Sequence, residues 1–428
     1  MSEWVRSKIK DLFESSIPGD WGLEGSPDGG TPVLRSTNFR NDGSIDYSDI
    51  AYRKIDLSRL DKRRVGTGII LIEKSGGSPT QAAGRVVYCE RDFNGTASNF
   101  IEIVKVKKDV ASKYVANLLY HLYQCGLVRK YQQQTTGIIN FKLAEYVEEY
   151  VTLPSQLAEQ TTISEVLSLV DRAIEQTKAL IAKQERIKTG LVQDLLTRGI
   201  DEHGNLRSES THEFKDSPLG RIPRSWEVAA LEDIASIVDP QPDHRTPAEY
   251  PDGVPYIGLS DFQSDGTIDF QGARKISHTA FAKQQKSFSI SEGDFVFGKI
   301  GTIGLPKRIP TSPNYALSAN IILIHPRETP SFVYWWIESP IAKALVDLEL
   351  HTTSQPAFGI QKMRSFPVPM PDMSERESIG GLLDRVESER TADERALRKL
   401  RSLKTGLMQN LLTGKKRVTS LLEFEPTR

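Results

Sequence analysis

The sequence predicts an α+β protein built as a tandem repeat, with two homologous globular domains separated by two long helices. Three observations predict this. The segment Lys188–Thr197, KTGLVQDLLT, returns 216 residues later as Lys404–Thr413, KTGLMQNLLT, with eight of ten positions identical, and self-similarity at a fixed offset marks a repeated structural unit. The stretches leading into both copies carry apolar residues at alternating steps of four and three, the seam spacing of a coiled coil. The regions between them hold short, β-branched, turn-bounded runs that read as strands.

The first seam comprises Ile163, Leu167, Val170, Ile174, Ile181, Leu191 and Leu195. The second comprises Ile379, Leu383, Val386, Leu397, Leu400, Leu407 and Leu411. Thr177, Gln184 and Lys188 interrupt the first, and Arg390, Asp393 and Lys404 the second. Such residues are either tolerated at a partly exposed seam or fix the register and direction of two packed helices. Both copies stop at a glycine, Gly199 and Gly414, where a helix commonly takes a left-handed cap. A 35-residue helix would make a rod of roughly 50 Å. Polar substitution of Leu407 and Leu411 is expected to weaken helix packing or partner docking while leaving each domain folded.

The globular parts repeat more loosely. PVLRSTNFRNDGSIDY at 32–47 aligns without a gap on PYIGLSDFQSDGTIDF at 255–270; Trp4 and Trp226 open the two copies, and Thr135-Thr136 has its counterpart in Thr352-Thr353. Strands are predicted at 68–73, 100–106, 294–297 and 320–325, with helices at 113–124 and 331–347. Residues 201–225, rich in Gly, Pro, Ser and charge, read as a connector.

At 428 residues the chain exceeds the usual single domain of roughly 100–200 residues, so at least two cores are needed. With 38% apolar and 26% charged residues and a mean hydropathy of -0.38, the composition is that of an ordinary globular protein. The start, MSEWVRSKIKDLFESS, has no apolar core of a signal peptide, so a cytoplasmic location is expected. Cys89 and Cys125 lack CxxC spacing, which predicts free thiols and no metal site. A net charge of -1 means that any affinity for DNA must come from local patches.

The helix ends KxGLxQxLLTxG, followed by TRGIDEHGNLRSESTHEFKDSPLGRIPRSWEV, closely resemble the central region of type I restriction-modification specificity subunits. The repeated architecture extends the resemblance over essentially the whole chain. It implies a first target recognition domain at 1–155, a conserved helix at 156–200, a linker at 201–225, a second recognition domain at 226–371, a second helix at 372–414 and a tail at 415–428. It implies helices packed as an antiparallel coiled coil with pseudo-two-fold symmetry, acting as a ruler and as a docking surface. Lys188 and Lys404 join the seam residues there. The implied partners are double-stranded DNA, two methyltransferase (modification) subunits and restriction/translocase subunits. No cofactor is expected in this chain; S-adenosylmethionine, ATP and Mg are expected only in the partners.

Base reading needs donors and acceptors on exposed loops, and phosphate contacts need cations and free amides. Three loops per domain offer these. The first is Arg35-Ser36-Thr37-Asn38, against Ser260-Asp261. The second is Lys74-Ser75-Gly76-Gly77-Ser78, against Lys299-Ile300-Gly301-Thr302, whose glycines serve either a close approach to phosphate or a plain tight turn. The third is Gln133-Gln134-Thr135-Thr136, against His351-Thr352-Thr353-Ser354. Asn99 and Asn320, beside strands of the repeat, are further candidates, with capping of backbone groups as the plainer role. The clusters Arg395-Arg398-Lys399-Arg401 and Lys415-Lys416-Arg417 touch phosphate or partners, or form a solvated face.

An enzyme carrying its own recognition domain is the main competing class. No acidic-Pro-Pro-aromatic methyltransferase motif is present, since Ser312-Pro313-Asn314-Tyr315 lacks the second proline. Nor does an FxGxG cofactor loop follow a strand, and no PD followed by ExK supplies a metal-binding nuclease centre. A scaffold whose coiled coil is the functional part is the second alternative. Two domains that share a fold but differ in sequence predict an asymmetric split target, with half-sites about one helical turn (roughly 34–36 Å) apart.

Overall fold

The computed structural model describes residues 3–135, 138–241, 245–263, 265–350 and 357–422. The chain divides into two compact units that do not follow its linear order: Met1–Gln176 with Leu397–Arg428, and Thr177–Ala396. Each globular domain thus takes the near half of one long helix and part of the other.

In the first unit a four-stranded antiparallel sheet runs in the order Phe13–Pro18, Ile101–Val106, Ile70–Glu73, Val86–Tyr88. The second unit repeats it as Ala235–Val238, Ile321–Pro326, Phe295–Gly298, Pro306–Arg308. The central strands Ile70–Glu73, Ile101–Val106, Phe295–Gly298 and Ile321–Pro326 are short, β-branched or aromatic and mostly buried, as strands covered on both faces require. The four central strands fall within a residue or two of their predicted positions. A two-stranded ribbon joins the start and end of each domain: Trp4–Lys8 with Tyr150–Pro154, and Glu227–Ala230 with Pro367–Met370.

The helix predicted at 113–124 is observed at Ser112–Gln124. The one predicted at 331–347 is instead two helices, Pro330–Glu338 and Pro340–Leu350. Pro340 disfavours a helical conformation at the residue before it, and Ser339 is extended at φ -61°, ψ 152°. The segment read as a connector also carries structure, a hairpin of Phe214–Ser217 and Gly220–Pro223. Its Leu219 and Ile222 enter the second unit's core, a gain that two apolar side chains in a polar stretch did not signal.

The long helices span Leu157–Thr197 and Met373–Leu411. In the first unit, Ile163 and Leu167 from the start of one helix share a core with Met408, Leu411 and Leu412 from the end of the other. In the second unit the roles exchange: Val192, Leu195 and Leu196 join Ile379 and Leu383 around Trp335 and Trp336. Cross-helix partners run in opposite directions within each unit. Asp171 pairs with Lys404 at 2.7 Å, while Gln184 donates to Asp393 at 2.8 Å and Lys188 pairs with Glu387 at 3.1 Å. The helices are therefore antiparallel, and of the polar seam residues Gln184, Lys188, Asp393 and Lys404 carry these cross-helix bonds. Lys188 and Lys404 also lie over aromatic rings, Trp335 and Tyr120. Ile174 is buried, whereas Val170, Ile181, Leu191, Val386, Leu397, Leu400 and Leu407 are half-buried.

Leu411 is 6% exposed within the first domain's core, so the expectation that polar substitution there spares the domain is corrected. Leu411→Ala should cost about 2–5 kcal/mol. Amide exchange should accelerate in Ile70–Glu73 and Ile101–Val106 and stay unchanged in Phe295–Gly298.

Candidate nucleic-acid interface

At one end of each sheet a strand finishes beside the start of its antiparallel neighbour. In the first unit Glu73 faces Ile101, and in the second Gly298 faces Ile321. Loops leaving strands at a shared end must lie together, and all the described candidate loops do so.

In the first unit the chain after Glu73 forms the strand Ser75–Gly77. It pairs with Ile138–Phe141, which pairs in turn with Gln132–Thr135. Ser36 Oγ donates to the Ser75 carbonyl at 3.2 Å, so the first, second and third loops meet. In the second unit Ile300 bridges Ala357, and the Phe358 amide donates to the Lys299 carbonyl at 2.9 Å. A Cβ on Gly298 would stand 2.6 Å from Leu259 Cδ1, so the loop bearing Ser260 crowds against the strand end as its counterpart does. Thr136, His351, Thr352, Thr353 and Ser354 lie outside the described residues.

The candidate side chains divide into two kinds. Several are committed to the loop itself. Asn38 is buried, accepts from the Arg35 amide at 2.8 Å and donates to the Asp46 and Asp49 carbonyls at 2.9 and 2.8 Å. Asp261 accepts from the Gly258 amide at 2.7 Å in the equivalent turn. Arg35 pairs with Asp49 at 2.7 Å, Lys74 with Glu102 at 2.9 Å, and buried Lys299 with Asp239 at 2.8 Å. Hydrogen bonds from Ser48, with Arg40, hold Asp46 at about 2, so this loop keeps its anionic anchor at any physiological pH. The second kind faces solvent: Thr37, Gly76, Asn99, Gln133 and Gln134 in one domain, Ser260, Gly301, Thr302 and Asn320 in the other. Ser36, Ser75, Gly77 and Ser78 are half-buried.

Of the cluster Lys415-Lys416-Arg417, Arg417 is committed to the fold, since it grips Glu159 through two contacts of 2.6 Å.

Two residues that the sequence reading did not single out shape the first domain's interface. Arg85 donates to both oxygens of fully buried Glu73 and, at 2.7 and 2.9 Å, to the carbonyls of Phe39 and Ser36. It therefore clamps the first loop to the sheet. The signal lay in an acidic residue closing the apolar run GIILIE, with an arginine twelve positions on.

A family model described as the type I restriction modification DNA specificity domain matches residues 1–186 and again 223–399. The chain belongs to this family of type I restriction-modification specificity subunits. It is similar to the type I restriction enzyme MjaVIII specificity subunit of Methanocaldococcus jannaschii, with 25% identity covering 76% of this chain and 78% of the relative. The putative MjaX specificity subunit of the same organism is 21% identical, covering 97% and 94%. Among solved structures, the S subunit of a type I system from M. genitalium has the same fold, with a TM-score of 0.62, 15% identity and 96% of each chain covered. A chain from work on complex assembly and conformational transition of the type I system aligns at 0.52, with 12% identity, over 96% of this chain and 98% of the other.

The two domains of this chain keep one fold and differ in the side chains at this sheet end. The Glu73–Arg85 pair shows how, because its counterparts in the second domain, set by the sheet registers, are Gly298 and Leu305. Arg85→Ala strands a buried carboxylate and should cost about 3–5 kcal/mol of first-domain stability. The double change Glu73→Gly with Arg85→Leu should recover most of that loss in denaturant unfolding.

Proposed function

We propose that this chain is the non-catalytic subunit that reads an asymmetric, bipartite DNA site and directs adenine methylation and restriction by partner subunits. The observation that carries this reading is that both domains bring their described loops to the same sheet end while presenting different side chains. Two such heads recognise two different half-sites. In this reading S-adenosylmethionine, ATP and Mg act in the partners, the assembly works in the cytoplasm, and the lengths of the two helices set the gap between half-sites. Among the described residues no helix is long and apolar enough to cross a membrane.

The helix faces turned away from the seam supply the partner surface. Ile187 and Leu403 occupy equivalent places in the repeat and are 45% and 50% exposed. Gly190 and Gly406 follow three residues later, and a Cβ on either would meet nothing within 4 Å. A glycine inside a helix costs about 1 kcal/mol relative to alanine. Neither glycine is required by its own fold, and Gln193 and Gln409 on the same faces are exposed too. One surface written twice suits two copies of one partner, a modification subunit whose backbone approaches closely at the glycines.

The reading is tested by co-expressing the chain with a type I modification subunit and mapping methylated adenines on a plasmid free of prior modification. A single split motif with a constant gap is expected; a stable complex that leaves the plasmid unmethylated would refute it. Two further outcomes are expected. Gly190→Trp with Gly406→Trp should abolish co-purification with the modification subunit while Gly→Ala at both sites raises the melting temperature. Inserting one helical turn at equivalent places in both long helices should lengthen the motif's gap without altering either half-site.

A further inference from the structure

Between the first and second loops, a short turn reaches the interface in each domain. The Ser98 amide donates to the Leu34 carbonyl and the Ser318 amide to the Ile257 carbonyl, both at 2.8 Å, just before the first loop of each domain. Two residues on, the Phe100 carbonyl accepts from the Lys74 amide at 2.7 Å and the Asn320 carbonyl from the Lys299 amide at 2.9 Å, at the start of the second loop. The strands Ile101–Val106 and Ile321–Pro326 follow at once. These bonds make Phe100 and Asn320 structural counterparts. The sequence reading had placed Asn99 alongside Asn320, but Asn99 is equivalent to Ala319.

Phe100 is 54% exposed, although the strand it precedes is almost wholly buried. A phenylalanine held out of an adjacent core has no packing reason to be there. The Asn320 side-chain amide has no partner among the described residues, its backbone N alone bonding to Ser318 Oγ. Both backbones are pinned on two sides by the loops they join, so both side chains are displayed from fixed points. What they display differs in kind: one is apolar with no donor, the other a paired donor and acceptor.

The chemistry of base edges separates these two. An apolar ring matches the thymine 5-methyl in the major groove, while a carboxamide makes the two-bond match to the N6 and N7 of adenine. We propose that Phe100 and Asn320 are equivalent specificity-determining positions, Phe100 meeting a thymine methyl in one half-site and Asn320 the major-groove edge of an adenine in the other. This rests on the DNA-reading function above. It assigns one base pair of each half-site to one residue and gives a cause for the half-sites being different.

The test uses the full chain assembled with its modification subunits and a random duplex library, from which bound DNA is selected by wild type, Phe100→Ala, Phe100→Asn and Asn320→Ala. Both positions are exposed, so melting temperatures should match wild type. Phe100→Asn should change the preferred base at one position of one half-site and leave the other half-site intact. Asn320→Ala should lower discrimination at one adenine of the other half-site about tenfold to a hundredfold. Replacing the assigned thymine by deoxyuridine, which removes only the methyl, should weaken wild-type binding about fourfold and leave Phe100→Ala unaffected. Unchanged half-sites in every variant, or a uniform loss with Phe100→Ala that is indifferent to deoxyuridine, overturns the assignment while the DNA-reading function stands. Failure of the wild-type assembly to enrich any duplex overturns both.

Discussion

A carboxylate in the first turns of each long helix, Glu159 or Glu375, is buried and held by an arginine supplied by the chain beyond the end of the other helix. Arg417 grips Glu159 through both carboxylate oxygens, and Arg207 does the same for Glu375. A buried ion is tolerable only when such bonds replace its hydration, so each unit can close only when the distant helix end is in place. In the second unit Glu375 also accepts from Trp226 Nε1 at 3.1 Å and from the Ile200 amide at 2.8 Å. Gly199 permits this: its φ is +63°, and a Cβ there would stand 2.3 Å from the Trp226 ring. In the first unit Gly414, at φ +73°, faces Trp4 less tightly, a Cβ there standing 3.2 Å from the ring.

This junction explains why the compact units ignore the linear order of the chain. The tail after Gly414 does for the first domain what the segment after Gly199 does for the second. It also explains why the repeat is most nearly identical at KTGLxQxLLT. Within that motif the second Leu pair, Leu195-Leu196 and Leu411-Leu412, enters a domain core. The lysine bridges to the other helix, and just beyond the motif Gly199 or Gly414 turns the chain at the helix end. The residues left over, Gly190 and Gln193 with their copies, are the ones assigned to the partner in the proposed function.

The repeat, the helices and their seams were legible in the sequence because periodicity survives in one dimension. Three features were not. The break at Ser339–Pro340 was masked by an apolar pattern that continues through it. The hairpin at Phe214–Pro223 hid in a polar stretch, since its stability comes from burying Leu219 and Ile222 in a core the local sequence does not reveal. At the interface, the loops were located but the division of labour within them was not. Asn38, Asp261 and Lys299 have the right chemistry for DNA, but the first two turn it on their own loops and Lys299 on Asp239, which only three-dimensional partners disclose. Phe100 was passed over because an apolar residue at a strand start reads as core until its exposure is seen.

The central claim is that each recognition domain is completed by its own carboxylate–arginine junction and reads its own half-site. Glu375→Gln in the full chain, assembled with modification subunits on its target duplex, addresses it most directly by hydroxyl-radical footprinting. The account predicts that protection weakens over the half-site read by the second domain and persists over the other. Equal loss across both half-sites, or weakening confined to the half-site of the first domain, would contradict it.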